Sequence, residues 1–286
     1  MSDTREIHAE IAAVFGDWLS AADAEQALDD SEVAYLQQHW VALGSVDEIW
    51  RLMDQDWDQT GAGYTPAEAK ALGEFYSSPI WLLNGIFTEL DEESRGHRNA
   101  IASYIAKLNP THLADYGGGF GAFSRRLGQS LPDCRIEVIE PYPTKLAQIL
   151  GQNSGIAYQS KLPEKPDIIT AQDVLEHVID PLKLMGELLA ALEPGALVIT
   201  ANCFKPVIKC HYPGAYHLHF TFRHIAARLG CEFVETVPGA GHAEVFRKTD
   251  AAPDWAAARR LERLSRAVHP LMKGAQSAKR IFSSAR

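Results

Sequence analysis

The chain contains 286 residues, of which 46% are hydrophobic and 22% charged, and its formal net charge is −10 at pH 7. A chain of this length accommodates about two domains, and its composition is that of an ordinary globular protein, which excludes the fibrous and disordered classes. No apolar run approaches the length that crosses a bilayer, so no membrane insertion is expected.

Charge is distributed unevenly along the chain. Residues 1–66 carry a net charge of −12, whereas residues 254–286 carry +6. Nucleic-acid binders present basic surfaces to phosphates, so the acidic N-terminal part argues against a nucleic-acid partner. The basic C-terminal part leaves nucleic acid or a membrane surface as alternatives, although we favour the chain's own acidic region as its partner.

Cysteine usage and the N-terminus both indicate a cytoplasmic protein. The four cysteines form no C-x-x-C pair, which is typical of reduced thiols and not of a disulfide framework. Asp3, Glu6 and Glu10 lie where a secretory signal peptide would be basic and then apolar.

Residues 1–108 are predicted to form an all-helical domain. Apolar residues recur at helical spacing from Ile7 to Leu19 and again from Val33 to Leu43. Two capping-box patterns, Ser45–Glu48 and Thr65–Glu68, predict the starts of further helices.

Two prolines mark the remaining boundaries of this helical region. Pro79 is expected to end the helix that starts after Thr65, and a last helix is predicted from Ser94 to Leu108 before Asn109-Pro110.

A glycine-rich segment follows at residues 115–121, which read Asp-Tyr-Gly-Gly-Gly-Phe-Gly after an apolar strand. Gly117, Gly119 and Gly121 allow positive φ and let the backbone pass close to a ligand, because no Cβ stands in the way. The segment therefore predicts a site for an adenosine-type cofactor.

Two interpretations of this loop compete. Gly117, Gly119 and Ala122 also satisfy the dinucleotide-binding pattern G-x-G-x-x-G/A. Asp115 would lie badly near a pyrophosphate, whereas it suits a cationic ligand. The pattern Asp-x-Gly-x-Gly-x-Gly resembles motif I of the class I S-adenosylmethionine (SAM) methyltransferases, so we favour SAM over NAD.

The next strand, predicted from Cys134 to Glu140, ends in an acid. Glu140 is placed to accept hydrogen bonds from both ribose hydroxyls, the alternative being a solvated acid at a strand end. Pro141 then turns the chain into a short helix, predicted from Thr144 to Leu150.

A further strand, Asp167–Asp173, continues into Asp-Val-Leu-Glu-His-Val-Ile-Asp-Pro at residues 173–181. This segment resembles the one after the fourth strand in many small-molecule SAM methyltransferases, including the ubiquinone-type O-methyltransferases. A Pro-Gly break before a strand at Ala196–Thr200 and a closing antiparallel pair, Cys231–Val237 with Ala243–Arg247, extend the resemblance over residues 109–250.

The resemblance implies an α/β fold, a Rossmann-like seven-stranded methyltransferase core, with residues 1–108 as a helical cap and residues 251–286 as a basic C-terminal helix and tail. It also implies which residues bind the cofactor: Asp115, Gly117, Gly118, Gly119, Gly121, Glu140, Pro141, Gln172 and Asp173.

The third strand is the weakest part of the pattern. Only residues 156–158 are available for it, and no acid follows that would contact the adenine amino group. Gln159 or Ser160 is the substitute we expect for that contact.

Asp173, Glu176 and His177 resemble the metal-binding signature of small-RNA 2′-O-methyltransferases and of some ubiquinone O-methyltransferases. A divalent ion held there would lower the pKa of an acceptor hydroxyl. The same sequence occurs in relatives that use these residues for cofactor contacts and packing, and we favour that interpretation over a metal.

A second cluster, Cys203, Cys210 and His211 with His217 and His219, lies in the predicted loop after the fifth strand. Its spacing matches no zinc module, although Cys and His are zinc ligands. We favour His217 or His219 as the base that removes the acceptor's proton over a zinc site, and packing or hydrogen bonding of these histidines within the loop is an equal alternative. The catalytic candidates are therefore His177, His217 and His219, with His242 as a weaker one.

From Asp254 the chain is predicted to form a basic amphipathic helix. Trp255, Ala258, Leu261 and Leu264 are expected on its apolar face, docked onto the chain's own domain or onto a homodimer partner. Residues 277–286 are predicted to be disordered.

The sequence thus predicts an enzyme that transfers a methyl group from SAM to a hydroxyl, and less readily to an amine, of a small molecule. The alternatives are an oxidoreductase that binds NAD or a nucleotide sugar, and a non-catalytic interaction protein with a SAM-binding fold.

Overall fold

The computed structural model of the protein describes residues 4–284, and the side chains of residues 4–272. The backbone of the last helix extends to Ser284, into the region predicted to be disordered. The side chains of that region, and residues 285–286, lie outside the described residues. No helix among the described residues is long and apolar enough to cross a membrane.

The N-terminal region is helical, as predicted, because each segment carries one apolar stripe that packs inward. Ile7, Ile11 and Phe15 form the stripe of the first helix, and each is at most 3% exposed. The seven helices are α1 (Thr4–Phe15), α2 (Ala21–Ala27), α3 (Asp30–His39), α4 (Val46–Thr60), α5 (Ala69–Tyr76), α6 (Pro79–Leu90) and α7 (Glu92–Leu108).

A seven-stranded sheet follows, in the order β3-β2-β1-β4-β5-β7-β6, with β7 antiparallel to its neighbours. The predicted fold class is confirmed. The strands are β1 (His112–Tyr116), β2 (Arg135–Ile139), β3 (Ala157–Gln159), β4 (Ile168–Gln172), β5 (Leu197–Ala201), β6 (Cys231–Thr236) and β7 (Ala243–Lys248). The helices between them are α8 (Ala122–Ser130), α9 (Lys145–Ser154), α10 (Pro181–Ala190) and α11 (Phe222–Ala226), and α12 (Trp255–Ser284) follows the last strand.

The parallel strands place polar residues at one edge of the sheet. β1 and β4 pair in parallel, and their buried residues are apolar except for Asp115 and Thr170, which lie opposite each other. Because parallel strands end on the same side, Glu140 after β2, Asp173 after β4 and Asn202 after β5 share that edge.

The helical region shares a core with the sheet region. Phe120 packs against α6 so closely that a Cβ at Gly85 would overlap its ring, and Leu150 of α9 belongs to the same apolar cluster as Ile11. The fully buried Arg125 pairs with Glu89 of α6. Helices α1–α7 are thus fixed over the carboxyl edge of the sheet, and the domain boundaries at residues 108 and 250 stay predictions.

One local prediction differs from the structure in detail. The helix expected after Ser45 begins there, at Val46, but Ser45 makes no side-chain cap bond. Helix α11 is short and is flanked by 3₁₀ turns. Thr221, which precedes it, donates from its hydroxyl to the carbonyl of His217 at 3.2 Å, a bond that competes with helix formation.

The last helix docks with part of the predicted face. Ala258 is buried and Leu261 packs against the core of the sheet region, as predicted, whereas Leu264 is 58% exposed and the polar residues Glu262 and Ser265 are buried. Polar partners also hold the helix, because Arg259 pairs with Asp180 at 2.5 Å and His217 Nδ1 lies 3.0 Å from Ser265 Oγ. The helix contacts the chain's own domain, and a homodimer stays a prediction.

Candidate functional site

The glycine loop, residues 117–121, connects β1 to α8 at the carboxyl edge of the sheet. Gly117, Gly119 and Gly121 have φ of 69°, 52° and 68°, which is the left-handed region that favours glycine. A Cβ at Gly117 would lie 2.5 Å from Val174, whereas a Cβ at Gly119 would meet nothing within 4 Å. Gly119 therefore borders open space, and a side chain there would occupy it.

Asp115 lies beneath this loop and does not face a ligand. Its carboxylate is buried and accepts hydrogen bonds from Ser124 Oγ and Thr170 Oγ1, each at 2.7 Å. A Cβ at Gly118 would lie 2.5 Å from this carboxylate. Burial raises the pKa of Asp115 to about 6. The carboxylate is engaged in holding the loop, and its predicted contact with the cofactor stays a prediction.

Glu140 joins the loop to a first cavity. The amide of Gly119 donates to its Oε2 at 3.0 Å and the amide of Tyr142 donates to its Oε1 at 3.2 Å, while burial raises its pKa. The small cavity, about 510 Å³, is lined by Glu140, Pro141, Gln159 and Ser160 among others. The residues predicted to contact ribose and adenine therefore lie around one space.

A second, larger cavity of about 1000 Å³ opens at the carboxyl ends of β4 and β5. Its lining comes from α4, α6, α7, the segments that follow β4 and β5, α11 and the β6–β7 turn. Asp173, His177, His211 and His219 line it, together with apolar residues such as Trp81. Its volume is that of a drug-sized ligand site.

Asp173 occupies a strained position at the junction of β4 with this cavity. Its φ is 52°, which is uncommon for a residue with a side chain, and its amide donates to the carbonyl of Ala201 at 2.8 Å. Asp173 is exposed to the cavity. Desolvation by the protein around it raises its pKa, while His211 lowers it. Gln172, also predicted to bind the cofactor, is half-buried at the end of β4 and lines neither of the two cavities.

His177 and His211 form a pair in the large cavity. Their rings are 4.9 Å apart and nearly perpendicular. His177 Nδ1 donates to the carbonyl of Cys210 at 2.9 Å, and His211 Nδ1 donates to the carbonyl of Lys205 at 2.8 Å. A carbonyl only accepts, so each neutral ring keeps a lone pair on Nε2.

The pair is electrically neutral at physiological pH. Burial lowers the pKa of His177 to about 3, with His211 as a second cause, and burial also lowers the pKa of His211. Asp173 opposes this effect on His211. No side chain or backbone group among residues 4–272 bonds to either Nε2, so both are available to a ligand that carries a hydrogen-bond donor.

The fold separates His217 from the large cavity, which the other histidine candidates line. His217 is 4% exposed, lies against Ser265 of α12 and does not line the large cavity. Burial lowers its pKa to about 4. His219 lines the cavity beside Phe220, and His242 lines it beside His97, with ring centroids 4.5 Å apart. His211, which the sequence linked only to a zinc alternative, is the histidine that the fold brings to His177.

Glu176 is fully buried and does not converge with Asp173 and His177 on a common point. The amide of Cys203 donates to its Oε1 at 2.5 Å, and its Oε2 has no partner. Burial, with the charge of Asp173 as a second cause, raises the pKa of Glu176 to about 8. In the part of the chain that the structure describes, no three His, Cys, Asp or Glu side chains are placed to hold a metal ion.

Aromatic side chains of α5 and α6 cover the edge between the two cavities. The ring of Tyr76 is parallel to that of Tyr142 at 6.2 Å and perpendicular to that of His177 at 6.4 Å. Trp81 lies 5.2 Å from Tyr76 and lines the large cavity. Both rings also pack against the core of the helical region.

Comparison with known proteins identifies one matching family. A family model described as a methyltransferase domain matches residues 94–236, which is half of the chain. No curated protein sequence matches the chain significantly.

Solved structures similar to this chain include three methyltransferases at low sequence identity. Human N-acetylserotonin methyltransferase in complex with SAM is 17% identical, with 77% of this chain and 70% of that chain covered and a TM-score of 0.45. The N-methyltransferase NodS from Bradyrhizobium japonicum WM9, in complex with S-adenosyl-L-homocysteine, is 18% identical, with 55% and 88% covered and a TM-score of 0.41. A SAM-bound amino pentose methyltransferase from Micromonospora echinaspora is 16% identical, with 54% and 92% covered and a TM-score of 0.39.

Proposed function

Because the chain belongs to the methyltransferase-domain family, whose model covers residues 94–236, we propose that this SAM-dependent methyltransferase methylates a hydroxyl group of a small molecule bound in the large cavity. The observation that carries the proposal is the position of the glycine loop. Its Gly119 donates to Glu140, which lines the small cavity, and its Gly117 contacts Val174, next to Asp173 of the large cavity.

The residues around the small cavity fit the adenosine part of SAM. Glu140 still has lone pairs for ribose hydroxyls, Gln159 and Ser160 offer polar atoms to adenine, and the space beside Gly119 would be filled by a Cβ. An acid at this position binds ribose in dinucleotide sites as well, so it is the match to a methyltransferase domain that favours SAM over NAD. Bound SAM would supply an electrophilic methyl group on a sulfonium.

The residues of the large cavity fit the removal of a proton from the acceptor. His177 and His211 each present an unprotonated Nε2, and a positioned imidazole accepts a proton in the transition state. We assign His211 as the principal proton acceptor, because it lines the cavity with Asp173, whose charge opposes the lowering of the His211 pKa by burial. Tyr76 and Trp81 cover the edge and exclude water, which otherwise competes as a nucleophile.

Location and partners belong to the same proposal. The four cysteines are all free thiols, which supports the expected cytoplasmic location. A small-molecule acceptor is the partner that the cavity volume supports.

Calorimetric titration of the full chain with SAM, S-adenosyl-L-homocysteine and NAD tests the cofactor. We expect the first two to bind and NAD not to bind; preferential binding of NAD would contradict the proposal. Methyl transfer is then measured as S-adenosyl-L-homocysteine formed with matched phenols and anilines, such as 4-ethylphenol and 4-ethylaniline. Methylation of anilines alone would replace the hydroxyl with an amine acceptor.

A further inference from the structure

The segment after β5, residues 203–212, forms one wall of the large cavity, and we call it the wall segment. Six of its residues line that cavity: Cys203, Phe204, Lys205, Val207, Ile208 and His211. It contains no α-helix or β-strand. Backbone groups outside regular structure need other partners, so the position of such a segment depends on the groups that bond to it.

Glu176 bonds to both ends of the wall segment. The amide of Cys203 donates to the Glu176 side chain at 2.5 Å, and the amide of Tyr212 donates to the Glu176 backbone carbonyl at 2.7 Å. The next residue, His177, donates to the carbonyl of Cys210. One short stretch after β4 therefore holds the wall segment from the side of the sheet.

The N-terminal helices hold the same segment from the opposite side. The amide of Lys209 donates to Asp54 of α4 at 2.7 Å, and its ammonium pairs with Asp58 at 2.5 Å. The hydroxyl of Tyr64 donates to the carbonyl of Cys210. The ion pair of Lys209 with Asp58 is exposed to solvent, whereas Glu176 is fully buried. Water therefore does not compete for the hydrogen bond between the Glu176 carboxyl group and the Cys203 amide.

We propose that Glu176 is a positioning residue whose buried side chain fixes the wall segment, and so places His211 and the apolar wall against the acceptor. This inference rests on the proposed function, in which the large cavity holds the acceptor. This role of Glu176 requires neither a bound metal nor a negative charge on its side chain.

The role requires an acceptor atom, not a carboxylate. A glutamine at this position keeps an oxygen for the Cys203 amide, so Glu176→Gln should preserve the wall segment while Glu176→Ala should release it. Glu137→Ala is the matched control, because Glu137 is equally buried but bonds to His112 and Arg135, away from the large cavity.

Hydrogen–deuterium exchange of the full chain, followed on peptides that span residues 203–212, provides the test. In Glu176→Ala the amide of Cys203 loses its partner and should exchange at least about 10-fold faster, whereas the amide of Tyr212 keeps the backbone carbonyl of residue 176 as its partner. In Glu176→Gln and Glu137→Ala the amide of Cys203 should remain protected. The affinity for S-adenosyl-L-homocysteine should change by less than about threefold in all three variants, as expected for a cofactor that contacts other residues.

Three outcomes would overturn the inference: unchanged protection in Glu176→Ala, a Glu176→Gln variant that exchanges as fast as Glu176→Ala, or rapid exchange of the Cys203 amide in the unsubstituted chain. The exchange rate of the Cys203 amide in the unsubstituted chain tests the inference even if Glu176→Ala fails to fold. Failure of the unsubstituted chain to bind S-adenosyl-L-homocysteine would instead overturn the proposed function, because the exchange pattern does not depend on a bound cofactor.

Discussion

The small cavity and the large cavity lie at the same edge of one sheet, yet they are built differently. The small cavity is lined by residues 140–160, and the glycine loop that borders it begins only one residue after β1. The large cavity combines residues from Val46 to Glu244, contributed by seven parts of the chain. Short local segments therefore specify the first, and long-range packing specifies the second.

This difference separates two kinds of functional effect. A change in the glycine loop acts on the backbone that borders the cofactor site, so it should alter binding. A change in the large cavity should leave cofactor binding intact and alter the rate of methyl transfer, because its residues face the acceptor.

The largest effect is expected from His211→Asn. Loss of a positioned proton acceptor typically lowers the rate by about 10²- to 10⁴-fold, so kcat should fall while SAM affinity is maintained. Initial rates of methyl transfer and calorimetry measure the two quantities. His217→Asn is the comparison, because His217 lies against α12 and should change the melting temperature more than the rate. A larger rate loss in His217→Asn would reverse our assignment.

Gly119→Leu should weaken SAM binding by about 100-fold or more, because its side chain would enter the open space beside Glu140. Gly155→Leu is the matched control, since Gly155 has φ of 73°, also borders open space and lines neither of the two cavities. Both variants place a residue with a side chain in the left-handed backbone region, which lowers the free energy of unfolding by about 1–2 kcal/mol. Equal SAM affinity in the two variants would disprove the role of the glycine loop.

Asp115→Asn should change the pH dependence of stability. The folded-state pKa of about 6 lies above the ordinary aspartate value of 3.8, so between pH 4 and 6 the folded chain binds a proton that the unfolded chain has released. Stability contributed by this group is therefore lost as pH rises through that window. Relative to the unsubstituted chain, the variant should gain roughly 2 kcal/mol between pH 4 and pH 7. Urea unfolding at both pH values measures this, and parallel curves would contradict it.

Glu140→Ala should weaken SAM binding by about 10-fold, the cost of lost hydrogen bonds from ribose to a charged group. Glu140→Gln should lie between this variant and the unsubstituted chain, because the amide oxygen still accepts. Calorimetric titration with SAM distinguishes the three proteins. An unchanged affinity in Glu140→Ala would leave Glu140 as a loop contact only.

The sequence by itself determined the sheet, the glycine loop and the acid after β2. Residues 115–121 require positive φ at fixed positions, and Glu140 follows a strand of strongly apolar character, so both signals are local. The resemblance to the methyltransferases was carried by the same contiguous segments, and the family match confirms it.

Only the tertiary structure decided which histidines share the large cavity, which face of α12 is buried and what Asp115 contacts. His211 lies beside His177 because Glu176 and α4 hold the wall segment from opposite sides, and no spacing within residues 203–219 reveals either contact. The polar contacts of Asp180 with Arg259 and of Thr221 with Ser265 add to the apolar contacts of Ala258 and Leu261 in docking α12. Periodicity reports what a segment can bury, but the partner that it meets depends on groups far away in the chain.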